Sequence, residues 1–419
     1  MRIAGIFERF RDVRNSKDGK TIIENFTYLS LLQVAGYVFP FITIPYLSRI
    51  IGVDGFGHLA FASALIVWVQ TIVDWGFGYS ATRDVARNRN NTNRLSEIYS
   101  NVLWTKILLA IICFFILLLL TFFIPVLREN MLVLLLTFLL IPGAILFPEW
   151  FFQGMEEMKY ITIFNISIKF AFTIAIFFVI KEKDDYVFQP LLISMGYIIS
   201  GLVSYYVLNT KWGVSLRKPR FKAIKFYLRD SFDIFIGNLF PTMYNNFSAV
   251  LLGAIGSPRA NGIYDGGNKF VSVAQSFIVI IGRTFYPFLN RRSDKFFIYE
   301  ALNLTVIGIA SIILFLIAPY IVHIFLTPEF EDSIIVLRIL SVSLFFLGLG
   351  TIYCVNYLFV KGYDKDARNI TIISSVIGFL LAYPLIKWFS FVGAAINVTI
   401  TRAIMGVLYM VVAKKRMRQ

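Results

Sequence analysis

Charged side chains are scarce in this 419-residue chain: Asp, Glu, Lys and Arg make up only 16% of it, against about 25% in an average soluble domain. Apolar residues reach 58%, with 43 Phe and 21 Tyr in the chain, and mean hydropathy is +0.72. A water-soluble fold of this size cannot hide so much apolar surface, which excludes soluble enzymes, nucleic-acid-binding modules and disordered proteins. Cysteine is almost absent. Cys113 and Cys354 each lie in an apolar run, far apart, and read as buried thiols rather than a disulfide or metal site. His58 and His323 have no metal-like spacing. Residues 1–24 lack the apolar core of a secretory signal; Ile3, Ile6, Phe7, Phe10 and Val13, interleaved with Arg, suit a segment lying flat on a membrane. No Walker-type phosphate loop occurs. No Ser-His-Asp or paired-carboxylate pattern sits in a long external loop. The sequence leaves little room for an enzyme and much for a transporter.

What the chain has is long apolar runs. A helix crossing about 30 Å of hydrocarbon needs roughly 20 apolar residues. Such runs fall near 27–50, 56–79, 103–126, 131–152, 160–180, 187–209, 231–255, 262–288, 301–323, 334–360, 369–387 and 391–413. They are too long for barrel strands, so each is expected to be a helix. Charge placement tests the count independently. With the N-terminus inside and sides alternating, 28 Lys and Arg fall in cytoplasmic segments and 6 outside. A missing or extra helix would scramble that split, so twelve spans with both ends cytoplasmic are expected. This distribution, rather than nucleic acid, accounts for the formal charge of +15.

The longest loop, near 210–230, carries 7 basic residues and divides the spans six and six. The expected organisation is an amphipathic segment 1–24, a bundle 25–209, a basic linker 210–230, a bundle 231–413 and a basic tail 414–419. Both bundles start on the same side, so any repeat is parallel. Ile50-Ile51-Gly52 before Phe56-Gly57 faintly matches Ala254-Ile255-Gly256 before Asn261-Gly262.

Three segments carry a resemblance: NFTYLSLLQVAGYVFPFITIPYLSRIIGVDGFGHLAF from Asn25, IVDWGFGYSATRDVARNR ending at Arg89, and PEWFFQGMEEMKYIT from Pro148. They resemble the polysaccharide-transporter (O-antigen flippase, Wzx-type) family of the multidrug/oligosaccharidyl-lipid/polysaccharide exporter superfamily. NGIYDGGNKF and RTFYPFLNRR match more loosely. The resemblance implies an all-α integral membrane protein whose two six-helix bundles surround a central cavity, a multidrug-exporter-like fold. It also implies a flippase of the bacterial inner membrane that carries an undecaprenyl-pyrophosphate-linked oligosaccharide between leaflets by alternating access. Membrane lipids and other polysaccharide assembly proteins are the further partners, and nucleic acid is not one. No cofactor is expected beyond, at most, a coupling ion, H⁺ or Na⁺. The rivals are a drug or metabolite exporter of the same superfamily, which would favour a carboxylate-lined cavity, and a membrane polymerase, which would need larger outer loops.

Such a substrate requires cations for the pyrophosphate and amide, hydroxyl and aromatic groups for the sugars. An ionisable residue inside a membrane normally faces a cavity or a partner. Lys269 is the first candidate, one turn after Asp265 at i,i+4. Arg283 lies about four turns further on, roughly in line. Arg49 ends the first span and suits either an outer mouth or a headgroup anchor. Tyr244, Asn245 and Asn246 follow Pro241 and suit either sugars or a helix–helix hydrogen bond. Asp74 and Glu149 suit either ion coupling or salt bridges with Arg83 or Lys169. Pro40, Pro45 and Pro241, in the opening helix of each bundle, permit bending.

Overall fold

A computed structural model describes residues 17–418. The first 16 residues of the surface-lying segment fall outside the described residues. Everything described is helix or connecting turn, without a strand.

The first half contains α1 (Lys17–Ile50), α2 (Gly52–Asp74), α3 (Phe77–Arg87), α4 (Thr92–Phe123), α5 (Met131–Phe138), α6 (Leu140–Leu146), α7 (Glu149–Gly154), α8 (Met158–Val179) and α9 (Phe188–Trp212). After α10 (Phe221–Asp230) follow α11 (Phe232–Ile255), α12 (Pro258–Arg291), α13 (Phe296–Phe325), α14 (Ser333–Leu349), extended by π-helix over Gly350–Leu358, and α15 (Asp364–Met417). Among the described residues ten helical stretches are long and apolar enough to cross a membrane. The chain is a multi-pass membrane protein.

Two expected spans are interrupted, each for a local reason, and a third break falls between two expected spans. The run 56–79 breaks where Trp75 (φ 43°) and Gly76 (φ 80°) adopt the left-handed conformation. The run 131–152 is cut at Phe147 by Pro148, which disfavours helix in the residue before it. The 54 residues of α15 double back at Ser390 (φ 51°, ψ −129°). A Cβ on Gly393 would stand 2.0 Å from the Leu385 carbonyl oxygen, whereas eight residues of straight helix would separate them by about 12 Å. Thr371 to Tyr409 (2.6 Å) and Asp366 to Arg416 (2.8 Å) tie the two antiparallel arms together.

The linker differs from its reading as a loop. Ile224 and Tyr227, one turn apart, are buried on one side of α10 while its lysines point outward. The intervening cations conceal this short apolar stripe in the sequence. Tyr227 and Val214 join the core that also contains Ile66, Val85, Leu95 and Phe152. The linker is therefore packed onto the first half.

The helix ends form two layers. At one, called here the linker end, Arg83 meets Asp230, Arg89 meets Glu156 and Lys211 meets Glu157. At the opposite end the Val53 amide donates to Glu329 (3.2 Å) and His58 meets Asn130 (2.5 Å). Between the layers, α2 packs against both α11 and α12 and forms the seam between the halves.

Candidate functional site

A cavity of about 550 Å³ opens along this seam. Its walls come from α1, α2, α11 and α12, with Phe172 of α8 and Gln189 of α9. Apolar residues dominate the walls, and amides and hydroxyls are spaced among them: Thr43, Ser63, Asn245, Asn246, Asn268 and Ser276. Tyr37 stacks on Phe277 at 5.0 Å between ring centres and accepts a 2.5 Å hydrogen bond from Gln33.

Lys269 lies on this wall. Its ammonium is ion-paired with Asp265, which also lines the cavity, and stands 4.6 Å from the centre of the Phe56 ring. Carboxylate and ring together offset the cost of holding a cation inside a membrane. Asn245 is committed elsewhere: its Nδ2 donates to the Pro241 carbonyl (2.9 Å), and its Oδ1 accepts from Arg402 (3.5 Å). Asn246 Nδ2 likewise donates to Thr242 (3.0 Å). The Tyr244 side chain lies outside the described residues.

Arg283 and Arg49 are not brought to this cavity. Both are exposed, Arg49 at the end of α1 and Arg283 about 21 Å along α12 from Lys269. Equal facing on a helix does not place two residues at one depth.

A second cavity of about 550 Å³ lies toward the linker end, one turn away along the same helices: Val67 and Asn245 line the first, Gln70 and Thr242 the second. Asp74 and Glu149 both face this second cavity, with Lys106, Gln153, Tyr197 and Asn238. Asp74 pairs with Lys106 at 2.7 Å, not with Arg83, whose partners are Asp84 and Asp230. Glu149 accepts from Asn165 (2.7 Å), whose Oδ1 in turn accepts from Tyr197 (3.4 Å).

Two buried cations therefore matter more than their sequence context indicates. Lys106 is only 6% exposed while its partner Asp74 is 45% exposed toward the cavity. Arg402 donates to Ser343 (2.9 Å), Gln275 (2.8 Å) and Asn245, joining α15 to α14, α12 and α11. Those partners lie 59, 127 and 157 residues away, so the only signal in sequence is a cation inside an apolar run.

At the opposite end the seam is shut. A Cβ on Gly57 would stand 1.7 Å from the Pro258 oxygen, and one on Gly262 1.9 Å from the Val53 oxygen. Asn261 donates across the contact to the Gly57 carbonyl (3.2 Å). Among the described residues no group of three His, Cys, Asp or Glu could hold a metal ion.

An all-helical membrane protein whose two halves enclose two stacked cavities, closed at one end, has the build of a transporter. The chain belongs to the polysaccharide biosynthesis protein family, which matches residues 22–293. It is 26% identical over 388 residues to the "Putative O-antigen transporter" of Escherichia coli (strain K12), covering 91% of this chain and 94% of that one. Its fold is similar to that of the lipid II flippase MurJ in an inward closed conformation, with TM-score 0.74, 13% identity and coverage of 94% and 87% of the two chains. A eukaryotic MATE transporter aligns with TM-score 0.58 and 15% identity over 95% of this chain and 98% of the other. These proteins are named transporters or flippases, not enzymes.

Proposed function

We propose that this protein is a flippase that carries a polyprenyl-pyrophosphate-linked oligosaccharide from the inner to the outer leaflet of the bacterial inner membrane by alternating access. In this reading twelve helices cross the membrane in two bundles, and the linker end and both termini are cytoplasmic. The ten apolar stretches, the 24-residue α11 and the two arms of α15 support that count. The basic residues gathered at the linker end support the orientation.

The observation that carries the reading is Lys269, balanced by Asp265, on the wall of a cavity whose apolar lining is interspersed with amides and hydroxyls. In the empty protein the carboxylate neutralises the ammonium. An entering pyrophosphate, with more charge, competes for it, and the surrounding amides and aromatic faces take the sugars. The lipid tail remains in the bilayer. Cavity carboxylates alone would suit a cationic drug; the lysine favours an anionic substrate.

Reconstituted vesicles test this. Lys269→Ala abolishes translocation of a lipid-linked oligosaccharide at unchanged protein level, while Lys269→Arg retains part of it, because a guanidinium still supplies the charge. Normal transport by the Ala variant removes Lys269 from the site.

Asp74 and Glu149 are the ion-coupling residues of the proposal. Both line one cavity, and in this reading they exchange H⁺ or Na⁺ with the linker-end solution and so make loaded and empty proteins reorient differently. Transport is then faster under an imposed H⁺ or Na⁺ gradient and insensitive to it in Asp74→Asn or Glu149→Gln. Equal rates with and without gradients, in parent and variants alike, make these acids structural.

A further inference from the structure

We infer that the linker helix α10 is a binding site for the headgroups of anionic phospholipids at the linker-end membrane surface, fixed to the first bundle so that lipid charge is read at the junction of the two halves.

Seven Lys and Arg lie within residues 211–230, against one acid, Asp230. That acid is taken by Arg83 at 2.8 Å. Successive residues of a helix turn by about 100°, so Phe221, Lys225, Arg229, Lys222 and Phe226 follow one another around an arc of roughly 140°. All five are exposed, Phe221 at 83% and Phe226 at 61%. The buried Ile224 and Tyr227 occupy the other side. Among the described residues none of Lys222, Lys225 and Arg229 has a hydrogen bond or ion pair. Three unneutralised cations between two bare phenyl rings form a poor surface for water alone. They fit a bilayer boundary, where rings enter the acyl region and ammonium and guanidinium groups meet phosphates.

The helix is held at that boundary. The Trp104 indole donates to the Arg217 carbonyl (2.9 Å), and the Trp75 indole to the Leu228 carbonyl (2.9 Å). Ser96 and Ser100, in the first turns of α4, accept from the amides of Ser215 (3.1 Å) and Arg217 (2.8 Å). Indole side chains gather at membrane interfaces, and Trp75, Trp104 and Trp212 all cluster here. The C-terminal end of α10 runs straight into α11, where Ser231 meets Ser80 (2.7 Å) and Phe235 stacks on Trp75 at 4.0 Å. Charge on α10 therefore acts where the first cavity-lining helix of the second half is joined to the first half.

The test uses the full-length protein carrying bimane on a Phe226→Cys variant, since Cys113 and Cys354 are buried. The label, itself apolar, takes the place of the phenyl ring. In vesicles, quenching by brominated phosphatidylglycerol is compared with quenching by brominated phosphatidylcholine. The anionic lipid should quench at about fivefold lower mole fraction or less, the equivalent of one engaged cation. That preference should collapse in 0.5 M salt, where screening length falls to about 4 Å, and should vanish in Lys222→Gln/Lys225→Gln/Arg229→Gln. Equal quenching by the two lipids, no quenching by either, or a preference that survives the triple substitution overturns the inference. Neither result depends on what the cavities carry.

Discussion

The Asp74–Lys106 pair shows how little of a membrane charge is visible until its partner is placed. Lys106 is buried, Asp74 faces the second cavity, and their 2.7 Å contact spans α2 and α4. Removing the lysine would leave Asp74 with solvent on one side only. Glu157 is a second such residue, outside the membrane-spanning segments. It meets Lys211 at 2.5 Å and Lys159 at 3.0 Å. Burial alone would raise its carboxyl, but the two ammonium groups outweigh this and hold it below the ordinary carboxylate range. A lowered folded-state value contributes stability above the unfolded value of about 4.3 and loses it as pH falls through the folded value. Glu157→Gln should therefore cost about 1 kcal/mol at pH 7. Thermal unfolding in detergent should show the gap between parent and variant closing below about pH 4. A gap as wide at pH 3.5 as at pH 7 would assign the loss to packing instead.

At the scale of elements, α15 is decided by one backbone conformation. Ser390 occupies φ 51°, ψ −129°, the first central position of a II′-type turn and a region that glycine adopts without strain. Relief of a strained residue is worth about 1–3 kcal/mol, partly offset by the extra freedom glycine has when unfolded. Stability should rank Ser390→Gly above the parent by about 1 kcal/mol, with Ser390→Val below it by at least as much, because a β-branched residue tolerates positive φ poorly. Midpoints of thermal unfolding check the order; a glycine variant less stable than the parent would show that the turn is not the strained point. Of these elements, the long apolar helices were legible in sequence, since twenty consecutive apolar residues admit one structure in lipid. The breaks at Trp75–Gly76 and Pro148 were less so: each lies inside an apolar run whose hydropathy does not register a change of direction. The helical linker was hidden because Phe221–Asp230 is too short and too charged for its stripe to stand out.

At the scale of the whole molecule, the proposed orientation places residues 90, 220 and 365 in the cytoplasm and 183 and 330 outside. Reporter fusions at those positions should alternate accordingly, and a cytoplasmic signal at 330 would overturn the twelve-span arrangement. The sequence by itself determined that the chain is a helical membrane protein, because composition and the spacing of apolar runs leave no other solvent for it. Its motifs also determined the family, and its embedded charges gave the shortlist that contained Lys269, Asp265, Asp74 and Glu149. Only the tertiary structure sorted that shortlist. It set Lys269 and Asp265 in one cavity and the two acids in another, left Arg49 and Arg283 out of both, and tied Asn245 to Arg402. Periodicity fixes the face a residue occupies on its own helix, but depth and partner depend on how helices far apart in sequence cross. Here the crossing is set by Gly57 and Gly262, where two backbones meet with no room for a side chain.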